Sequence, residues 1–309
     1  MLTIDSSDAD PLIPDSEYRH MLEAVDGARL KRWLETVAVP RHFTMEPEAN
    51  RRIGDWLFDQ LKRMGYDVAF QGDYRNVVAL PAQPFDCPLV MVGAHYDSVP
   101  YCPGADDNGS AVVALLECAR ILSLASRPQP VGFLLFNCEE DGLLGSTDFV
   151  KHYQKGDPYT IGGIQVLEML GYCDHRPGSQ QVPPGLPIPV PISDTGNFLA
   201  ILSNRHSNAH NDRLMRLAKT YVPEYEVLGL KVLMGVEQFF PVLHRSDHSP
   251  FWKKSIPAMM WTDTAEFRNP HYHRSSDVVD TVDFAFLRWA TQLLVLAVCD
   301  MAREFRMHH

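Results

Sequence analysis

Acids and histidines recur along this chain at places where metal ligands are usually held. The stretch Val90 to Ser110, VMVGAHYDSVPYCPGADDNGS, puts His95 and Asp97 directly after an apolar run, and Asp106 and Asp107 directly before an apolar-periodic segment. Further on, VGFLLFN leads into Cys138, Glu139, Glu140 and Asp141, and IQVLEML carries Glu168 among apolar neighbours. A later stretch, HRSDHSPFWKKSIPAMMWTDTAEFRNPHYHRSSD, adds His244, His248, His271 and His273. Mixed imidazole and carboxylate suits zinc or another transition ion, whereas oxygen alone suits magnesium or calcium.

Taken singly, most of these pieces have an ordinary account. Asp and Asn before a helix cap it, and acidic residues after a strand make a turn. Glu168 does not fit that account, because a carboxylate inside a buried strand is costly unless it is paired or bound to a cation. Successive side chains on extended backbone point opposite ways, so Glu139 and Glu140 can divide the work between one metal ligand and one base. The carboxylates suffice for two ions with one aspartate between them, which favours a co-catalytic pair. Chemistry alone does not select which histidine supplies the last imidazole.

The elements that position these residues follow from apolar periodicity. Short apolar runs predict strands at Val68 to Phe70, Asn76 to Leu80, Pro88 to Gly93, Val131 to Asn137, Gly163 to Met169, Phe198 to Leu202, Glu226 to Leu233 and Ala258 to Thr262. Amphipathic spacing predicts helices over Tyr18 to Val37, Glu46 to Gly65, from Asn108 onward, Leu144 to Gln154, Ser207 to Tyr221 and Val282 to Phe305. The result is a three-layer α/β/α fold with a central mixed, mostly parallel sheet of about eight strands. Most candidate ligands then fall at strand ends, where open α/β sheets bind. Residues 1–16 are expected to form a flexible tail and 17–309 a single domain. Tyr172 to Asn197, with Pro177, Pro183, Pro184, Pro187, Pro189 and Pro191, is expected to be an inserted loop beside the site.

With 309 residues, 45% hydrophobic and 22% charged, the chain can bury a sizeable core, which excludes a disordered or collagen-like class. A formal net charge of -11 gives no electrostatic reason to approach nucleic acid or an anionic membrane, so peptides or other small molecules are the expected partners. No basic start with an apolar core marks a signal peptide, and no window reads as a transmembrane helix. Six cysteines without CxxC pairs suggest a reduced, cytoplasmic protein. Cys102 and Cys173 fall near the proposed site, but their spacing is not that of a thiolate cluster.

The ordered motifs GAHYDS, PGADDNGSA, FNCEEDGLLGS, LEMLGY, SDHSPF and NPHYHRSSD closely resemble the zinc-dependent aminopeptidase family that also contains glutaminyl cyclases and glutamate carboxypeptidases. The resemblance runs from Asn76 to the final helix and more weakly over the leading helices. It implies His95 as a ligand of a first zinc, Asp107 as a bridge between two zinc ions, and Glu140 and His273 as ligands of the second. It further implies Glu139 as general base, Tyr272 as a donor to the oxyanion and Asp97 as the carboxylate that orients His95, with a cis peptide at Asp107–Asn108. The last ligand of the first metal is commonly aspartate in the family, and here it aligns with Glu168; Asp174 is the reserve. Asp247 either supports the site's hydrogen bonds or caps a helix, and Asp277 either supports His273 or starts the last helix.

The implied activity is that of an exopeptidase that removes an amino-terminal residue through a hydroxide bridging two zinc ions, with Glu139 accepting the water's proton. Two other readings belong to the same resemblance: a single-zinc glutaminyl cyclase, and a member that binds peptide or metal without turnover. The amino-terminal side chain is expected to meet an apolar wall made by the proline-rich loop and by Phe239, Phe240 and Leu243.

Overall fold

The computed structural model describes residues 2–5, 10–156, 158–184 and 192–308. In chain order its elements are β1 (Leu2–Asp5), α1 (Ser16–Glu23), α2 (Gly27–Val37), α3 (Pro47–Arg63), β2 (Asp67–Gln71), β3 (Asn76–Leu80), β4 (Leu89–His95), α4 (Ala111–Ser123), β5 (Val131–Phe136), α5 (Leu144–His152) and β6 (Ile161–Glu168). There follow β7 (Phe198–Ser203), α6 (Asn208–Tyr221), β8 (Glu226–Val232), α7 (His248–Lys253), β9 (Ala258–Thr262) and α8 (Phe284–Met307). The nine strands form one sheet in the order β1-β8-β7-β9-β6-β4-β5-β3-β2.

Side-chain alternation along the central strands explains the two cores. Val90, Val92 and Ala94 of β4 join Val112, Leu115 and Leu116 of α4 and Leu293 and Leu294 of α8 in the larger one. Met91 faces the other way and packs with Phe149 of α5 and Phe251 and Trp252 of α7. The helices form by familiar means: Asp26 and Asp283 accept amides of the first turns of α2 and α8, and Pro47 opens α3, whose Ile53, Leu57 and Leu61 recur at four-residue spacing and are buried.

Three differences from the sequence reading stand out. The sheet has nine strands rather than about eight, because Leu2–Asp5 pairs antiparallel with β8 and sets Leu2 opposite Val232; both side chains are buried, so part of the expected tail is an edge strand. The single leading helix is two, since Asp26 caps a new start at Gly27. α8 is long and apolar enough by composition to cross a membrane, but 78% of that window is buried inside the protein, as a core helix requires. Pro187, Pro189 and Pro191 of the proline-rich segment lie outside the described residues.

β4, β5, β6 and β9 run parallel, whereas β3 and β7 run against them. β4 lies between β5 and β6, so the chain crosses to opposite sides of it on successive connections. This is the topological switch of the sheet, where a crevice opens beyond the carboxyl ends of the strands. His95 closes β4 opposite Phe136, Glu168 closes β6, and Glu139 and Glu140 lie just past β5.

Candidate metal centre

The crevice gathers two ligand clusters that share one residue. His95, Asp107 and Glu168 form the first and Asp107, Glu140 and His273 the second, each with its ligand atoms within 4.8 Å of one another. Asp107 Oδ1 lies 3.5 Å from His95 Nε2, and its Oδ2 lies 3.2 Å from His273 Nε2. Glu168 Oε1 is 3.5 Å from His95 Nε2, and Glu140 Oε2 is 3.2 Å from His273 Nε2. Such separations exceed the roughly 2.7–2.9 Å of a charge-assisted bond. They match the ~3.3 Å expected between two atoms that each stand about 2.0–2.1 Å from one tetrahedral ion. Neither ring nitrogen of His95, nor Oε1 of Glu140, has a hydrogen-bond partner although all are buried. Buried donors and acceptors without partners are costly, so the residues fit divalent cations.

Asp107 is held by everything around it. Asp277 accepts the backbone amides of Asp106 and Asp107 at 2.9 and 3.0 Å. Asp283 rather than Asp277 caps α8. Asp106 accepts Gly171 N on one oxygen and the Asn269 side chain on the other. The next peptide, Asp107–Asn108, is cis, as the resemblance implied. The Asn108 side chain then bonds Leu167 O and Met169 N, both at 2.9 Å, which ties the segment to the end of β6. The segment Ala105–Ser110, whose backbone is kinked out of helical geometry at Asp107 and Asn108, leads into α4. Before it Gly104 has φ +58, and a Cβ there would stand 2.3 Å from Asp107 O, so only glycine fits.

A second clamp joins β4 to β5. Asp97 lies with Oδ1 3.4 Å from His95 Nδ1 and accepts the backbone amides of Glu139 and Glu140. Glu139 itself reaches within 3.9 Å of His95 Nε2. On the β6 side, the Ser246 hydroxyl donates to Glu168 Oε2 at 2.6 Å and fixes that side chain. Asp174 stays outside both clusters; it pairs with Arg176 at 2.6 Å. Asp247 precedes α7 without making a cap bond and is fully buried. Tyr272 stacks on His273 with ring centroids 3.8 Å apart. Of the other histidines, His244 bonds Ser249 and Glu237 O, His248 bonds Leu243 O and His271 bonds Ser276.

So many acids in one crevice move one another's protons. Burial pushes the Glu139 carboxyl well above the carboxylate range, against the opposing charge of His95. Burial and then the Asp107 charge bring Glu140 to about 7. Burial opposes a charge on His273, but hydrogen bonds to Asp107 and Glu140 prevail and raise it to about 10. For Asp107 burial works upward, yet the two imidazoles hold it below its ordinary value. Acids that crowd one another beside imidazoles suit cations, which would relieve the repulsion among them.

Arg41 escaped the sequence reading. It is fully buried, and its guanidinium donates to the carbonyls of Val39, Tyr96, Pro103 and Gly104. In this way it joins the leading helices to the loops that carry Asp97 and Asp107. A lone arginine after VAVP gives no signal of that role, which appears only when distant loops meet.

A cavity of about 420 Å³ opens from the clusters. Asp107, Glu139, Glu140, Glu168 and Tyr272 line it together with the apolar Phe198, Leu202, Leu228 and Leu230 and with Ile4 of β1. The expected apolar wall is partly corrected. Leu243 does line the cavity, as do Gln180, Gln181, Pro183 and Ile192 of the proline-rich segment. Phe239 is 70% exposed, and Phe240 packs against the smaller core.

The mixed sheet and the aspartate shared between two ligand clusters define the class, an α/β protein of the zinc-aminopeptidase fold. The chain belongs to peptidase family M28, whose model matches residues 76–298. It is 34% identical over 223 residues to the uncharacterized protein YfbL of Escherichia coli K12, covering 69% of this chain and 67% of that one. Aminopeptidase YwaD of Bacillus subtilis 168 is 50% identical over 219 residues, 70% of this chain and 42% of its own. The chain thus spans between about two fifths and two thirds of these relatives. Among solved structures, the LapA aminopeptidase of Legionella pneumophila superposes with a TM-score of 0.73 at 19% identity, covering 96% of this chain and 77% of that one. BSAP, a zinc aminopeptidase from Bacillus subtilis, gives 0.55 at 26% identity, covering 73% and 49%. The glutaminyl cyclase of Porphyromonas gingivalis gives 0.65 at 18% identity, covering 90% and 99%; at such identity it shares the fold alone, as LapA does.

Proposed function

We propose that this chain is a metal-dependent aminopeptidase with two zinc ions, acting on peptides or aminoacyl compounds. The observation that carries the reading is the division of Asp107, one oxygen toward His95 and the other toward His273. His95, Asp107 and Glu168 would hold one ion, and Asp107, Glu140 and His273 the other. Ions bound there would polarise the scissile carbonyl and bring the pKa of water toward neutrality.

The chain's own groups do the rest. Glu139 lines the cavity beside both clusters and makes no side-chain hydrogen bond of its own among the described residues, which leaves its carboxylate for the proton of the attacking water. The same carboxyl then returns that proton to the leaving amine. Burial, followed by the charges of Asp107 and Glu168, raises the Tyr272 phenol far above its usual range, so it stays a hydrogen-bond donor to the developing oxyanion. The apolar lining of Phe198, Leu202, Leu228 and Leu230 favours an uncharged, bulky amino-terminal side chain.

The test is metal content per chain, paired with release of anilide from aminoacyl anilides before and after chelation. At least two ions and zinc-restored release support the reading. One ion with pyroglutamate formation from amino-terminal glutamine points to a cyclase, and full occupancy without turnover to a binding protein.

A further inference from the structure

A third group of ligands lies outside the paired centre. Cys173, His175 and Asp283 place a sulfur, an imidazole nitrogen and a carboxylate oxygen within 4.8 Å of one another. Local backbone geometry brings them together. Asp174 makes an isolated bridge to Gly196, so its neighbours on either side turn toward the same face. That face meets the start of α8, because Asp283 N donates to Gly171 O at 2.8 Å. Asp283 spends Oδ1 on the cap of α8, accepting Ala285 N and Phe286 N, and Oδ2 remains for another partner.

Cys173 Sγ lies 3.5 Å from His175 Nε2. A tetrahedral ion about 2.3 Å from sulfur and about 2.0–2.1 Å from nitrogen would set those atoms roughly 3.6 Å apart. A catalytic cysteine is the other use for a thiol beside an imidazole and a carboxylate, but Cys173 belongs to neither cluster of the pair and does not line the cavity that opens from them.

We propose that Cys173, His175 and Asp283 form a third metal site, selective for a borderline transition ion such as zinc and open to solvent at its remaining position. A thiolate ligand disfavours magnesium and calcium. On binding, the sulfur–metal bond forms and the thiol proton leaves to solvent. Thiolate and carboxylate together bring two negative charges, which offset both the ion and the positive end of α8. His175 is exposed and Cys173 half-buried, so the ion enters and leaves more readily than one beside the buried His95. Its effect is to fasten residues 173–175, the root of the segment that supplies Gln180, Gln181 and Pro183 to the cavity, onto the first turn of α8.

Cobalt(II) distinguishes this site from the pair, because the pair offers only imidazole and carboxylate. Metal-free full-length protein is titrated with cobalt alone while the near-ultraviolet spectrum is followed, and iodoacetamide labelling of Cys173 is followed by mass spectrometry with and without zinc. Expected are a thiolate-to-cobalt charge-transfer band, at least tenfold slower labelling with zinc, loss of the band in Cys173→Ser, and at least tenfold weaker binding of that ion in His175→Ala. Two ions per chain and wild-type activity toward aminoacyl anilides should persist in both variants. Absence of the band in the wild type, its survival in Cys173→Ser, or equal labelling with and without zinc overturns the proposal, whatever the pair binds.

Discussion

Asp97 takes the backbone amide of Glu140 on Oδ2 at 3.2 Å, and with Oδ1 it takes that of Glu139 at the same distance. One carboxylate therefore sets the height of both acids at the end of β5 while lying beside His95. Asp97→Asn keeps the shape but turns one acceptor into a donor that must face an amide. The expected result is a fall of about 10–100-fold in metal affinity or activity. Zinc retention under chelator competition, together with kcat/KM, checks it; wild-type values for both would remove Asp97 from the design.

Glu139→Gln preserves size and takes away the proton acceptor. Turnover should drop by about 10²–10⁴-fold, with two ions still bound. Loss of metal alongside activity would instead mark Glu139 as a ligand.

Glu168 uses its length, with Oε1 facing His95 and Oε2 held by Ser246. Glu168→Asp shortens the side chain by one carbon and cannot span both contacts. A tenfold or greater loss of affinity for one of the two ions of the pair is expected, seen when zinc titrations of the variant and of the protein without it are compared, both in the Cys173→Ser background. If the aspartate variant binds both ions as tightly, the Ser246 contact has no bearing on the site.

Much of this architecture was legible in the chain. The strands Asn76–Leu80 and Ala258–Thr262 have the bounds their apolar runs suggested, because a strand buried on both faces leaves a continuous apolar signature. Leu2–Asp5 left none, being four residues on an edge. His95 and Glu168 were visible as polar residues against apolar strands. Arg41, Asn269 and Ser246 were not, since their meaning lies in partners between 55 and 163 residues away. The role of Asp277 was open for the same reason. Its partners are backbone amides, which carry no residue type to read.

Arg41 allows a test of that long-range joinery. Burial lowers its pKa against the raising charges of Asp97, Asp277 and Asp107. Arg41→Met would leave four carbonyls and those acids without their cation, at a cost of about 3–5 kcal/mol. Urea unfolding at neutral pH reads the loss; a midpoint equal to the wild type's would contradict it.

His248 gives a pH signature apart from the metal ligands. Burial depresses its pKa from 6.5 to about 4, so the folded state keeps it neutral while the unfolded chain protonates it first. Stability is therefore fully present above pH 6.5 and is lost as pH falls toward 4, by about 3 kcal/mol at most. His248→Gln should flatten that slope in urea midpoints between pH 7 and about 4.5. An unchanged slope would assign it to other groups.

The short strand β1 carries Ile4 on the lining of the cavity and is held on one side only, by β8. Four residues on an edge belong to the least protected class of backbone, opening far below the free energy of global unfolding. The reach of the cavity then becomes a matter of time as well as shape. Whenever β1 frays, the lining at Ile4 loosens while His95 and Glu168, rooted in the central strands, keep their places. A long side chain would meet a yielding boundary at Ile4 and a rigid one at Glu168, and amide exchange at Thr3 and Ile4 would report how often the boundary gives way.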